Sequence, residues 1–193
     1  MTDTTTTNAQ REWQGLTVPR PGTFKLDPAH SRLGFVATHM MFTKVRGEFT
    51  DFSGTVQVAD DPTDTSVEVT VETASVNTNA DDRDAHLRSG DFFDADNHPH
   101  ISFRSTEIRH VGGTEFAVRG DLTIRGVTRP LELTATFEGA GTNPWGVEVA
   151  GVSARTEIDR EEWDLTWNAA LETGGVLVGK KVTLEIDIQA QRA

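Results

Sequence analysis

The amino-acid sequence predicts an all-β domain of antiparallel strands, closed as a barrel or folded as a sandwich, with one short helix. Three observations predict it. From about residue 23 onward, apolar and polar residues alternate with period two, the pattern of half-buried strands. Short clusters of Gly, Pro, Asp and Asn separate these runs, and connections that short make neighbouring strands antiparallel. One segment alone breaks the alternation in favour of a helix. The strands' apolar faces must therefore cover one another, by closure or by face-to-face packing.

Taken in order, residues 1–22 are expected to be a polar N-terminal tail, with Trp13, Leu16 and Val18 available to dock, and 23–193 the domain. Strands are expected at 31–39, 45–58, 67–71, 101–108, 116–124, 131–137, 147–158 and 182–188, about eight in all. Turns fall at DDPTD (60–64), VGG (111–113), RGVTRP (125–130) and TNPWG (142–146). The helix is expected at about 80–90, within NADDRDAHLRSGDFF (79–93). Asn79 or Asp81 would cap it, Asp84 and Arg88 would pair at i,i+4, and Gly90 would end it. Gly34, Gly47, Gly54, Gly120 and Gly151 fall inside strands, where they ease curvature or leave room inside.

Composition excludes several function classes. A net charge of −12 opposes broad contact with nucleic acid or anionic lipid, and Lys44 and Arg46 are too few for a basic stripe. No apolar run is long enough to cross a membrane as a helix, so no stable membrane insertion is expected. The chain contains no cysteine, which excludes disulfides, thiolate metal sites and cysteine nucleophiles. The N-terminal stretch lacks a basic and an apolar region, and a cytoplasmic protein is expected.

Catalytic motifs are missing from the sequence. Gly151-Val152-Ser153-Ala154-Arg155 lacks the last glycine of a nucleophile elbow, and there is no P-loop, dinucleotide fingerprint or HExxH. DADNHPHISF (94–103) starts like a calcium loop but has Pro99 where that loop needs glycine. His98 and His100, with His86, Asp91, Asp94 and Asp96, leave a metal-dependent enzyme as an alternative reading. A turn leading into a strand needs less to explain the same residues. Strand parity points Phe35, Ala37, His39, Phe103, Phe116, Val118, Leu122, Leu133, Phe137, Leu184 and Ile186 inward. If the interior holds a ligand, these are the expected contacts, with His39 a polar one. Trp163 and Trp167 either pack over one end or form a lid around an apolar ligand.

LDPAHSRLGFVATHMMFTKVRGEFTDFSGTV (26–56), DDRDAHLRSGDFFD (81–94), GDLTIRGVTRPLEL (120–133) and TWNAALETGGVLVG (166–179) together resemble the YceI family of polyisoprenoid-binding, lipocalin-like proteins, in the expected order over about 23–190. The resemblance implies an antiparallel eight-stranded lipocalin-like barrel whose apolar interior holds a polyisoprenoid or isoprenoid quinone. It implies no catalytic residue, no metal and no further cofactor, and it leaves room for a homodimer. The chain departs from the family's usual pattern at Arg125, at Trp163-Asp164 and at His98-Pro99-His100. A third reading is a stress-related interaction module with no bound ligand.

Overall fold

The computed structural model describes residues 10–172 and 174–193. After a hairpin of β1 (Gln10–Trp13) and β2 (Leu16–Pro19) come β3 (Gly22–Leu26), β4 (Arg32–His39), β5 (Thr43–Phe49), β6 (Phe52–Val58), β7 (Ser66–Glu72) and the two-residue β8 (Val76–Asn77). Helix α1 (Asp81–Arg88) follows, then the long strands β9 (His100–Gly112), β10 (Glu115–Ile124), β11 (Val127–Thr142), β12 (Glu148–Asp159) and β13 (Val178–Arg192). Eight of these strands form a closed antiparallel ring in the order β3–β6–β7–β9–β10–β11–β12–β13, with β13 returning to β3. Closure removes the unpaired edges on which other strands could add.

One position in the ring is split. The first edge of β13 pairs with β12 along most of its length. Its second edge meets β3 at Ala190–Arg192 and β4 at Val178–Asp187. Asp27 pins the break between β3 and β4. Its carboxylate accepts hydrogen bonds from the Ala29 amide and from the Gln189 and Gln191 side chains of β13, and lies 2.6 Å from His30 Nδ1. Burial would raise the Asp27 carboxyl, but the hydrogen bonds from His30, Gln191 and Ala29 outweigh it and hold it below its ordinary 3.8. A lowered carboxyl stabilises the fold fully above the unfolded value and loses that contribution as pH falls through the folded one. The unfolding free energy of the protein, followed by denaturant titration from pH 6 down to about 2, is expected to fall in that acid window. Asp27→Asn is expected to be less stable at pH 6 and to show a shallower acid decline; parallel profiles would contradict this role.

The remaining elements follow from local chemistry. The β10–β11 hairpin turns on Arg125 (φ 50°) and Gly126 (φ 74°) alone, the mirror-image turn whose twist suits antiparallel strands. Val127–Arg129, expected in the turn, already belong to β11. The expected 45–58 strand breaks at Thr50-Asp51, because β5 must pair with β4 and β6 with β3.

The helix is shorter than expected and is capped differently. Ala80 occupies its N-cap, and its side chain accepts no capping hydrogen bond. Asp84 is buried and accepts from the Thr78 amide and hydroxyl instead of meeting Arg88. Arg88 instead donates to the Ala74 and Val76 carbonyls. The helix ends at Arg88 with Ser89 extended, so Gly90 is not its left-handed cap.

The expected tail also needs correcting. Residues 10–19 are a hairpin that docks on one end of the barrel, with Val18 buried and Trp13 stacked 6.1 Å from Phe116. Residues 1–9 lie outside the described residues.

Candidate ligand cavity

The ring encloses a cavity of about 410 Å³. Its wall is aliphatic and aromatic almost throughout, and Thr65, Ser102 and Arg160 are the lining residues with polar side chains. One level of the wall can be followed from strand to strand through Phe116, Ala135, Ala154, Ile186, Leu33 and Phe49, which pair successively across the sheet. Where the sheet does not complete the wall, Leu87 of α1 and Phe92 and Phe93 behind it do, Phe93 lying 5.6 Å from Phe49. At the other end the hairpin contributes Val18 and Pro19.

Two glycines explain how large rings line the wall without filling the space. A Cβ on Gly120 would lie 2.4 Å from Phe103 Cζ, and one on Gly47 would lie 2.3 Å from Phe35 Cζ. Each ring lies over the bare backbone of the neighbouring strand, the close approach that glycine permits. Inward Leu33, Phe35, Phe103, Leu184 and Ile186 are consequently only half-buried, because they face open space and not another side chain.

Phe35, Ala37, Phe103, Phe116, Val118, Leu122, Leu133, Phe137, Leu184 and Ile186 all line the cavity. Three expected contacts do not. His39 sits at the rim of β4, opposite the register shift between Val178 and Val182 of β13, with Thr43 Oγ1 3.4 Å from its Nδ1. Trp163 is 1% exposed and lies within the packed core, its indole N–H donating to the Leu122 carbonyl at 3.0 Å. Trp167 lies behind the wall against His86 and Phe92, at 4.6 and 5.2 Å between ring centroids.

Sequence reasoning missed Arg160, Pro19, Leu87, Phe92 and Phe93, and gave Val18 only as a residue available to dock. The signal for Arg160 was present: it continues the inward parity of Val152, Ala154 and Ile158.

The histidines proposed for a metal do not converge. His86 Nε2 lies 2.9 Å from Asp91, His100 Nε2 3.0 Å from Glu72, and His98 Nε2 3.9 Å from Asp94. Among the described residues no group of three or more His, Asp or Glu side chains is placed to hold a metal ion. DADN is a turn and His100 opens β9, so the metal reading finds no support in this geometry. The outer face carries exposed ion pairs such as Arg119–Glu132 at 2.6 Å, which add little to stability. No helix among the described residues is long and apolar enough to cross a membrane.

Comparison with known proteins gives a consistent result. The YceI-like domain family matches residues 24–190. A UPF0312 protein of Staphylococcus aureus (strain bovine RF122) is 41% identical over 166 residues, covering 84% of this chain and 93% of the relative. The crystal structure of Burkholderia cenocepacia BcnA superposes with a TM-score of 0.75 at 22% identity, covering 85% of this chain and 98% of that one. A polyisoprenoid-binding domain from Saccharophagus degradans, implicated in plant cell wall breakdown, superposes with a TM-score of 0.70 at 16% identity, covering 90% of this chain and all of that one. At those identities the two structures speak for the fold.

Proposed function

The chain belongs to the YceI family, and from that premise we propose that its barrel binds a long apolar molecule of the polyisoprenoid or isoprenoid-quinone class, for carriage or storage. The observation that carries the reading is the barrel cavity of about 410 Å³ with its almost wholly apolar wall. That volume falls within the roughly 300–1,000 Å³ of small-molecule sites. A prenyl chain offers such a wall little except apolar area, and burial gains about 0.8 kcal/mol per methylene-sized unit. About ten such units gain roughly 8 kcal/mol before association costs, and micromolar affinity corresponds to about that net figure. The neighbour described as a polyisoprenoid-binding domain supports the same ligand class.

A binding role, not catalysis, suits this lining. Acid–base or nucleophilic chemistry needs activated groups facing one another. Among the described residues the wall supplies one charged side chain, Arg160, with no carboxylate beside it inside the cavity.

The test is a calorimetric titration of delipidated protein with prenylquinones of increasing chain length. Affinity is expected to climb with each isoprene unit until the cavity is full, with a negative heat-capacity change. Affinity independent of chain length would overturn the reading.

A further inference from the structure

Arg160 is out of character with its surroundings. It is 4% exposed, yet it lines a cavity that is otherwise hydrocarbon apart from Thr65 and Ser102. A buried guanidinium is normally paired with a carboxylate, because desolvating an unpaired charge is costly. Arg160 has no such partner among the described residues. The acids next to it are engaged elsewhere: Asp159 accepts the Glu161 amide, and Glu161 holds Lys180 at 2.7 Å. Its contacts are main-chain carbonyls: Nε to Gly179 at 3.0 Å, Nη1 to Leu165, and Nη2 to Val178 at 3.5 Å. A guanidinium has five N–H donors. Three are directed at these carbonyls, and among the described residues the guanidinium meets no further protein acceptor.

The three carbonyls fix the orientation of the side chain. They come from either end of the 165–179 segment, so Arg160 ties that segment down while itself remaining part of the cavity wall. A donor held this way in apolar surroundings strengthens any hydrogen bond it makes and discriminates against molecules that cannot accept one.

We propose that Arg160 is the polar anchor of the cavity, donating its free N–H groups to an acceptor oxygen at one end of the apolar ligand. The oxygen is that of a carbonyl, phenol or carboxylate. The barrel then selects chains that end in an acceptor over plain hydrocarbons of the same length. This rests on the reading of the cavity as a ligand site.

The test uses the delipidated full chain with two probes, farnesylacetone and the hydrocarbon in which its ketone is replaced by a methylene. The wild type is expected to prefer the ketone by at least about tenfold, as sites built around a hydrogen bond do. Arg160→Met is expected to bind the two equally, and Arg160→Lys to keep part of the preference. Solid-state NMR on ¹⁵N-arginine protein with ¹³C-carbonyl ketone gives a variant-free readout, because no other arginine lines the cavity among the described residues. A direct dipolar contact between the carbonyl carbon and a guanidinium nitrogen is expected. Equal binding of both probes by the wild type, or no such contact, overturns the anchor while leaving the cavity reading intact. Binding of neither probe overturns both.

Discussion

Ala154→Phe is expected to remove ligand binding from a barrel that still folds. Ala154 faces Ala135 on one side and Ile186 on the other, so two alanines lie side by side on the wall and leave the space between them open. A phenyl ring there enters the cavity and takes the place of ligand. Displacing as little as two methylene-sized units removes about 1.6 kcal/mol, more than a factor of ten in affinity. The ring fills existing space, so stability should change by less than the roughly 1–3 kcal/mol typical of overpacking a filled core. Ligand titration and a denaturation midpoint on the same preparation check both halves. Unchanged affinity would show that ligand does not occupy this level of the barrel.

Trp163→Ala should have the opposite profile, a large loss of stability with its origin outside the cavity. Trp163 is among the most buried side chains and packs within the core cluster while its indole N–H donates to the Leu122 carbonyl. Removing a buried tryptophan costs about 3–5 kcal/mol, a large share of the 5–15 kcal/mol typical of a domain. Trp163→Phe keeps most of the bulk and loses the indole hydrogen bond, while the Leu122 carbonyl keeps its ladder partner Arg129, so it should cost only about 0.5–1.5 kcal/mol. Urea unfolding with an unchanged denaturant slope is the measurement. A cost below about 1 kcal/mol for the alanine variant would mean that the indole is not an anchor.

Trp163 also marks where sequence reading stopped. Regular strands announce their inward face, because period-two alternation and burial are the same fact seen twice. Phe103, Val118, Leu133 and Ile186 were therefore legible from parity. Parity ends where the strand does. After Asp159 the chain enters a 3-10 turn capped by the Asp159 side chain, which carries Trp163 into the packed core and away from the cavity. Asp164 leaves that turn at φ 58°, a reversal that no alternation foretells. His39 failed for a related reason: it keeps the parity of Phe35 and Ala37 but is the last residue of β4, outside the residues that line the cavity.

Other misses were of different kinds. Arg160 lay on the correct parity, but a charged residue is ordinarily assigned to the outside, and only the closed barrel shows it buried. The hairpin at residues 10–19 carries too few residues to show a period, and its evidence is tertiary: Trp13 on Phe116, and Val18 under the barrel end. The helix was visible from its composition, but its cap was not. Asp84 is drawn to Thr78 by a buried hydrogen bond, and the i,i+4 rule for exposed pairs does not apply to it.

The central claim is that the interior of this barrel is a place for a molecule and not merely a loosely packed core. Native mass spectrometry of the protein isolated from its own host, with organic extraction of the same sample, tests it most directly. The account predicts a long-chain apolar species in stoichiometric amount, released on denaturation and depleted in Ala154→Phe. A bare polypeptide mass, nothing extractable, and no uptake when the protein is then incubated with a prenylquinone would contradict it.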